Sequence, residues 1–358
     1  MIKVVLLIGG KSSEHEISLK SSYFIFNTLD RSKYEVTPIL IDKKGNWIIP
    51  ESKDAKYPNI QSIQKTFPIE SLADEFKKQF IAENQILHSE GISISDIDCD
   101  IAFLGLHGGD GENGVIQAFL QMYSIPFTGS GVLASALAMD KERSNYLFLS
   151  AGLTVANFVN VNKKEFSLKG EGFLNNFHLT FPVFIKPTHG GSSVGVGKAN
   201  NILEVATKLR ELFNTEESVL IQENISGIEV SCGVLEKKTG RDFEVIALHP
   251  TEIVPKSEFF DYKAKYQIGH SEEITPARIS DELTASIRES ALLAHKILGC
   301  KGYSRTDFII QDGKPYILET NTLPGMTETS LIPQQAKYAG FQMNEVFDWL
   351  IENGLSLH

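Results

Sequence analysis

The sequence predicts a mixed fold, in which an α/β domain with a parallel sheet precedes α+β parts with antiparallel strands. The parallel sheet is indicated by an apolar run over residues 2–8, two glycines, a helical stretch over about 16–29 and a second strand over 35–41. A strand–turn–helix–strand order of this kind forms a βαβ unit. Alternating residues over about 229–253, and a hairpin that turns at 312–313, indicate the antiparallel part.

The remaining segments follow the same pattern of strands, glycine-rich turns and helices. Residues 43–95 are polar and mixed, and we interpret them as an insertion. Residues 128–131 mark the first domain boundary. Further strands are predicted over 101–106, 181–186 and 219–222. Further helices are predicted over 114–122, from residue 131 to about 149, over 201–213 and over 280–298, and a long functional loop is predicted over 256–273.

Length, charge and cysteine content limit the class of protein. A chain of 358 residues has room for two or three domains. Its net charge of -11 argues against nucleic acid or an anionic membrane as the main partner, because both require a basic surface. The cysteines Cys99, Cys232 and Cys300 form no CxxC pair, which fits a reducing cytoplasm. The first apolar run is short for a signal peptide, so we expect none.

Four polar residues on the predicted hairpin form the strongest candidate site. Residues two apart on a strand point to the same face, which groups Arg305 with Asp307 and, likewise, Glu319 with Asn321. A three-residue turn over 312–314 then places Asp307 opposite Glu319, and Asn321 opposite the arginine. Two carboxylates and an amide oxygen suit Mg²⁺ that bridges nucleotide phosphates. The structural alternative is a surface hairpin with a cross-strand ion pair.

Glycines and lysines elsewhere indicate an anion site. The run GGSSVGVG over 190–197 follows Lys186, so its backbone N–H groups could cradle a phosphate beside the lysine charge. It is not a Walker motif, and a glycine-rich hairpin without ligand is the alternative. Lys141 lies between acidic residues, where a solvated helix face is the alternative. Aromatic residues and lysines over 258–266 suggest a lid that closes over an anion, or an ordinary surface loop.

The order of the motifs is more specific than any one of them. GG-x-SSEHEIS, HGGDGENG, GSGVLASALAMDK, VFIKPTHGGSSVGVGK, DYKAKY, GYSRTDF and LETNTLPGMTETSL follow one another along nearly the whole chain. This order resembles the D-alanine–D-alanine ligases of the ATP-grasp superfamily. The resemblance implies an N-terminal preATP-grasp substrate domain over 1–129, a central ATP-grasp subdomain over 130–228 and a C-terminal subdomain over 229–358. ATP would lie between the last two.

The resemblance implies ATP as co-substrate and two Mg²⁺ or Mn²⁺ ions as cofactors. Phosphate contacts are implied for Lys141, Lys186 and Lys265. Adenine and ribose contacts are implied for Gln222, Glu223, Ile225 and Glu229. Metal ligation is implied for Asp307, Glu319 and Asn321. Gln222 replaces a Glu of some relatives and Glu223 replaces a Lys, which matters for nucleotide preference only if side chains hold the base.

The same resemblance assigns residues to the two amino-acid substrates. Arg305 and the Gly325 N–H match groups that stabilise a tetrahedral intermediate. Glu14 matches the residue that holds the first substrate's ammonium, and Ser192 and Tyr266 match its partners in a triad that closes the lid. Contacts to the second substrate are implied for Ser330 and Leu331. We also expect His107 to bind substrate.

The implied activity is ATP-dependent ligation of two D-alanines through a D-alanyl-phosphate, for peptidoglycan precursor synthesis in the cytoplasm, by a homodimer. A related ligase that makes D-alanyl-D-lactate or D-alanyl-D-serine is the nearer alternative. A non-catalytic nucleotide-binding module is the more distant one, and the complete set of metal ligands and phosphate lysines counts against it. ATP turnover that depends on an added amino acid would distinguish a ligase from a non-catalytic nucleotide-binding module.

The lid residue Tyr266 predicts the choice of second substrate. Near pH 7 D-alanine arrives mostly as an ammonium, whereas D-lactate carries a neutral hydroxyl at that end. A phenol adds no charge there. A histidine becomes cationic at mildly acidic pH and would repel the ammonium of D-alanine but not the hydroxyl of D-lactate. We therefore expect the parent chain to form D-alanyl-D-alanine, and Tyr266→His to increase the share of D-alanyl-D-lactate as the pH falls.

The measurement supplies D-alanine and D-lactate together at several pH values and quantifies both products. D-alanyl-D-lactate as the main product of the parent chain near neutral pH would overturn this assignment of the second substrate.

Overall fold

The computed structural model describes residues 1–51, 55–86, 97–191, 195–255 and 271–357. Within these ranges the strands form three sheets. No helix of the described part is long and apolar enough to cross a membrane. Most of the long loop predicted over 256–273 lies outside the described residues, and its last residues, 271–273, belong to a strand instead.

The first sheet confirms the predicted βαβ unit. Its strands, in the order β3-β2-β1-β4, are β1 (Ile2–Gly9), β2 (Tyr34–Ile41), β3 (Trp47–Ile48) and β4 (Ile101–Leu104). β1 pairs in parallel with β2 and β4, and β3 is an antiparallel edge. Helix α1 (His15–Thr28) joins β1 to β2 and packs on the sheet. The sheet's parallel centre is buried, so its strands read as continuous apolar runs.

The polar region after β2 is folded onto this core in the residues that the structure describes, and its interpretation as an insertion stays a prediction. Helices α2 (Ile60–Thr66) and α3 (Leu72–Glu83) contribute Ile63, Phe76 and Phe80 to the core of the first sheet. Phe76 and Phe80 are four residues apart on one helical face, a spacing that the polar residues between them, Lys77, Lys78 and Gln79, obscured.

The second sheet has the order β5-β8-β6-β7 and is antiparallel. Its strands are β5 (Phe158–Asn162), β6 (Val183–Pro187), β7 (Gly197–Ala199) and β8 (Ser218–Glu223). It has its own apolar core, which is covered by α8 (Lys163–Lys169) and α9 (Ile202–Leu212). α9 begins after Asn201, whose side chain accepts hydrogen bonds from two backbone N–H groups of the first turn.

The helix predicted from residue 131 to about 149 is in fact two helices. α4 (Gly109–Glu112) and α5 (Val115–Met122) belong to the first domain, and the chain then forms α6 (Val132–Met139) and α7 (Lys141–Ser150). The break falls at Asp140, which has an extended backbone and accepts a hydrogen bond from the Arg143 N–H at 3.0 Å as the cap of α7. An aspartate at a helix start satisfies a backbone donor, which the prediction of a continuous helix overlooked.

The third sheet confirms the predicted alternating antiparallel strands. Its main order is β12-β11-β9-β13-β14, and β10 also pairs with β9. The strands are β9 (Ile228–Thr239), β10 (Asp242–Ala247), β11 (Thr251–Pro255), β12 (Ser271–Ile274), β13 (Tyr303–Gln311) and β14 (Lys314–Asn321). Helix α10 (Asp281–Leu298) packs on it and begins after Ser280, whose hydroxyl accepts from the Leu283 N–H.

The chain then returns to the first domain. α11 (Leu331–Tyr338) is followed by α12 (Met343–Ser356), and the apolar face of α12 belongs to the core of the first sheet. The Phe347 and Phe103 rings, for example, meet edge to face with centroids 5.6 Å apart. The first and third sheets are therefore packed together by the C-terminal helix.

A buried carboxylate ties β9 to α10 and α12. Glu236 accepts hydrogen bonds from the Gly302 N–H at 3.0 Å and the Asn353 Nδ2 at 2.5 Å. His295 Nε2 of α10 lies 3.5 Å from its Oε1, and Lys301 Nζ lies 3.6 Å from the same oxygen. Burial alone would raise the pKa of Glu236, but the surrounding donors and the Lys301 charge lower it overall. We expect Glu236→Gln to lower the free energy of unfolding by roughly 3 kcal/mol, because it removes the buried negative charge opposite Lys301 and replaces one acceptor oxygen with an amide donor.

A depressed folded-state pKa stabilises the fold at neutral pH, and this stabilisation is lost as falling pH protonates the glutamate. Urea unfolding of the parent, Glu236→Gln and the exposed control Glu289→Gln checks this at pH 7 and at acidic pH. The difference in the free energy of unfolding between the parent and Glu236→Gln should be smaller at acidic pH than at pH 7. An equal gap at every pH would contradict the role of the charge.

Candidate active site

One cavity lies where the three parts of the chain meet. The first domain, the central part and the β13–β14 hairpin all contribute side chains to it. The lining residues include Glu14, Gly108, Glu112, Lys141, Gly190, Gly191, Arg305, Glu319, Asn321 and Thr322. The structure therefore brings into one cavity five residues that the sequence analysis assigned to different steps, namely Glu14, Lys141, Arg305, Glu319 and Asn321.

The hairpin has the predicted pairing but a different turn. Asp307 pairs with Glu319 and Arg305 with Asn321, as predicted. The predicted three-residue turn is wrong, because only Asp312 and Gly313 separate the paired ends, both with positive φ (52° and 74°). A register shift beside Asp307 leaves Leu318 as an extra residue and restores the pairing.

This register shift decides which way the acidic residues point. With a two-residue turn and no shift, Asp307 would lie opposite Leu318, and Glu319 opposite Thr306. Thr306 is fully buried on the other face of the sheet. A one-residue slip moves side chains to the opposite face. The irregularity at Leu318 therefore keeps Glu319 on the face of Asp307, towards the cavity.

Asp307 is nearly buried and is bound on several sides. Arg305 donates to both its carboxylate oxygens, from Nε and Nη2, each at 2.9 Å. The Ser231 hydroxyl donates to Oδ1 at 2.6 Å, and the Asn321 Nδ2 donates to Oδ2 at 3.1 Å. A bidentate arginine–carboxylate pair is fixed in direction as well as in charge.

The oxygen donors of the hairpin fit a hard divalent cation. The two carboxylates of Asp307 and Glu319 lie across one strand pair, and the Asn321 amide is two residues further along the same face. Carboxylate and amide oxygens are the ligands that Mg²⁺ takes in nucleotide sites. Within the described ranges no group of three or more His, Cys, Asp or Glu side chains forms a metal site, so the candidate set is two acids and one amide.

Lys141 lies against the glycine-rich turn rather than in solvent. Its Nζ donates to the Gly190 carbonyl, and its backbone N–H donates to Thr188 O at 3.0 Å. The side chain is buried, so its interpretation as a solvated helix face is wrong. The next residues of the turn, including Ser192, lie outside the described residues, as do Lys265 and Tyr266 of the lid.

The candidate base-binding residues lie at the end of the second sheet. Gln222 of β8 pairs with Phe184 of β6, and the next residue, Glu223, pairs with Val183. Lys186 is also on β6. Gln222 is 3% exposed, and its Nε2 has no hydrogen-bond partner in the described part of the chain. Glu223 and Ile225 line a second cavity. Glu229 is on β9, in register with Ile253 and Ile309.

Glu14 is packed against the glycine-rich turn after β4. It immediately precedes α1 and is buried. Gly108 has φ +61°, and a Cβ there would lie 2.2 Å from Glu14 Oε2, so only glycine fits. Ser12 donates its hydroxyl to the His107 carbonyl at 2.6 Å and accepts from the Glu14 N–H at 3.2 Å.

Glu112 is a buried acid that the sequence analysis quoted within a motif but gave no role. Its Oε1 accepts from the Thr322 and Leu323 N–H groups at 2.9 and 3.0 Å, and its Oε2 accepts from the Gly108 N–H at 3.1 Å. Burial, and then the nearby Glu14 charge, raise the pKa of Glu112 to about 7 against the effect of these donors. Its position among glycines was the available signal, but two of its three partners, Thr322 and Leu323, are over two hundred residues away.

His107 makes its described contacts with protein groups. Nδ1 lies 2.8 Å from the Leu323 carbonyl and Nε2 lies 2.8 Å from the Ser21 hydroxyl. Burial lowers the pKa of this imidazole. Substrate contact by His107 stays a prediction.

The residues expected at the second substrate lie close together. A Cβ at Gly325 would lie 3.0 Å from Ser330 Oγ, so the glycine backbone and this hydroxyl are neighbours. Ser330 accepts from the Thr327 N–H at 3.0 Å and precedes Leu331, the first residue of α11.

Comparisons with known proteins agree along the full chain. The D-ala D-ala ligase N-terminus family matches residues 3–130, and the D-ala D-ala ligase C-terminus family matches residues 147–352. A D-alanine–D-alanine ligase of Leptospira biflexa is 52% identical over 99% of both chains, and one of Leptospira interrogans is 49% identical over the same shares.

Solved structures match as well. The VanG D-Ala:D-Ser ligase of Enterococcus faecalis has a TM-score of 0.81 at 30% identity and covers 99% of each chain. The D-alanine–D-alanine ligase of Bacillus anthracis complexed with ATP has a TM-score of 0.70 at 26% identity, with 100% of this chain and 98% of that chain covered. The predicted fold class, preATP-grasp and ATP-grasp, and the predicted ligase class are confirmed. The chain belongs to the D-alanine–D-alanine ligase family.

Proposed function

We propose that this chain joins two D-alanines in an ATP-dependent reaction that passes through a D-alanyl-phosphate and supplies a peptidoglycan precursor. One observation carries the proposal most directly. The hairpin residues Glu319 and Arg305 share a cavity with Lys141 and Glu14, which come from the other two parts of the chain. This supports a site in which groups proposed to bind phosphate face a group proposed to bind an ammonium.

The first step activates a carboxylate, because its oxygen is a poor leaving group. The γ-phosphoryl group of ATP is transferred to the first D-alanine, and Lys186, Lys265 and Arg305 neutralise the charge on its oxygens. Lys141 contacts the phosphates beside the glycine turn. Asp307, Glu319 and Asn321 would hold Mg²⁺ or Mn²⁺, which adds positive charge at the phosphates.

The second step forms the amide. The amine of the second D-alanine attacks the acyl carbon, and phosphate leaves. Arg305 and the Gly325 N–H hold the developing oxyanion, and one such donor typically lowers the barrier by about 3 kcal/mol. Glu14 holds the ammonium of the first substrate. Water must be excluded from the acyl-phosphate, which gives the lid with Tyr266 and Ser192 its purpose.

D-Alanine is the second substrate that the most similar relatives reported above favour. The relatives at 52% and 49% identity carry D-alanine alone in their names, whereas the solved D-Ala:D-Ser ligase is 30% identical. Ser330 and Leu331 would contact this second substrate, beside Gly325.

The nucleotide and domain assignments complete the proposal. Gln222, Glu223, Ile225 and Glu229 would bind adenine and ribose, and the unused Gln222 amide donor is consistent with a bound base. The domains are proposed at 1–129, 130–228 and 229–358, a division supported by one sheet in each. Location in the cytoplasm and assembly as a homodimer stay predictions.

Replacing Glu319 tests the proposed cation site. Glu319→Gln keeps the shape of the side chain and removes one negative charge from the proposed cation ligands, Asp307, Glu319 and Asn321. We expect the turnover number for ATP-dependent D-alanyl-D-alanine formation to fall at least about a hundredfold, with little change in thermal stability. The measurement is dipeptide and ADP formation at saturating Mg²⁺, together with thermal unfolding.

Glu244→Gln is the matched control, because Glu244 is an exposed glutamate on β10 of the same sheet. It should retain the parent's turnover. Near-normal ligation by Glu319→Gln would refute the cation site, and a parent chain that forms no dipeptide from ATP and D-alanine would refute the proposed function.

A further inference from the structure

The segment 322–326 carries Gly325 and is held by side chains of the first domain. It follows β14 directly and runs into the core of the first sheet, where Leu323 and Met326 are buried. Its backbone groups are bound by Glu112, His107 and Ser21. A segment from the hairpin side is therefore fixed by the opposite wall of the cavity.

Ser21 is the least expected of these three residues. It lies on α1, is completely buried, and its hydroxyl oxygen accepts from the Met326 N–H at 3.1 Å. The same hydroxyl lies 2.8 Å from His107 Nε2. Nothing in the sequence around Ser21 distinguished it from the neighbouring serines of the helix.

The direction of each hydrogen bond follows from the partners. The Leu323 carbonyl can only accept, so His107 Nδ1 carries the proton. Nε2 of a neutral ring is then an acceptor, so Ser21 donates its O–H to it. The lone pairs of the Ser21 oxygen remain to accept the Met326 N–H. The Ser21 hydroxyl thus both donates and accepts a hydrogen bond. His107 binds Leu323, Ser21 binds Met326, and the two side chains bind each other.

We propose that Ser21 is a positioning residue for the amide-forming step, acting through Met326 and His107 to hold the Gly325 N–H in place. This inference rests on the proposed function. Gly325 lies between the two tethered residues Leu323 and Met326, so loss of one tether displaces it. Misplacement by about 1 Å can lower a rate a hundredfold. Phosphoryl transfer depends on the lysines and the hairpin, which this serine does not touch in the described contacts.

The test compares Ser21→Ala with Ser22→Ala. Ser22 is also fully buried on α1, and its hydroxyl donates to the Gly105 carbonyl at 3.1 Å, which Ser18 donates to as well. The two substitutions remove the same atom from the same helix, but only the first removes a tether of 322–326. Full-length variants are assayed with Mg²⁺, ATP and D-alanine, and ADP and dipeptide are counted separately.

For Ser21→Ala we expect kcat for dipeptide to fall at least about tenfold, with KM for ATP within about twofold of the parent. ADP formed per dipeptide should rise from about one to two or more, because water attacks the acyl-phosphate when the amine attack slows. Ser22→Ala should keep a ratio near one. A purely structural role would lower both products together.

Ser21→Cys, which keeps a weakly polar atom at this position and weakens both hydrogen bonds, replaces Ser21→Ala in the assay if Ser21→Ala does not fold. It should raise the same ratio by a smaller amount. A ratio near one in the folded Ser21 variant would overturn the inference while the proposed function stands. A parent chain that forms no dipeptide would instead refute the proposed function.

Discussion

The pairing of β13 with β14 is the constraint on which the site depends. The type of turn is set by Asp312 and Gly313, which both take a positive φ, and this turn by itself would give the wrong register. One extra residue, Leu318, shifts the pairing so that Glu319 and Asp307 share a face. The hairpin therefore places two carboxylates side by side, where the Arg305 guanidinium and the Ser231 hydroxyl offset their repulsion.

The second constraint couples this hairpin to the first domain. β14 ends at Asn321, and Glu112 accepts from the next two backbone N–H groups. One oxygen of the Glu112 side chain accepts from those two donors, and the other accepts from the Gly108 N–H. The wall that holds Glu14 and the strand that holds Glu319 are thus fixed relative to each other. A reaction that joins two substrates needs this kind of fixed geometry between its binding groups.

Local patterns predicted most of the fold and the hairpin, because both depend on short-range periodicity and turn chemistry. The βαβ unit and the antiparallel strands over 229–253 were accessible in this way. The pairing of Asp307 with Glu319 was predicted correctly from a wrong turn, because the extra residue Leu318 compensates for a turn that is one residue shorter. The break at Asp140 was missed because helical segments flank it directly on both sides and only the capping aspartate separates them. Ser21 and Glu112 were missed because their partners are distant in sequence, so no local spacing distinguishes them.

The central claim is that the cavity activates a D-alanine carboxylate by phosphoryl transfer from ATP. D-Alanine labelled with oxygen-18 in its carboxylate, incubated with the chain, ATP and Mg²⁺, tests this most directly. The attacking carboxylate oxygen becomes the bridge to phosphorus and leaves with the phosphate when the amine attacks the acyl carbon. Mass spectrometry should therefore find one labelled oxygen in the inorganic phosphate for each dipeptide formed. Unlabelled phosphate, or label in AMP, would contradict the proposed acyl-phosphate.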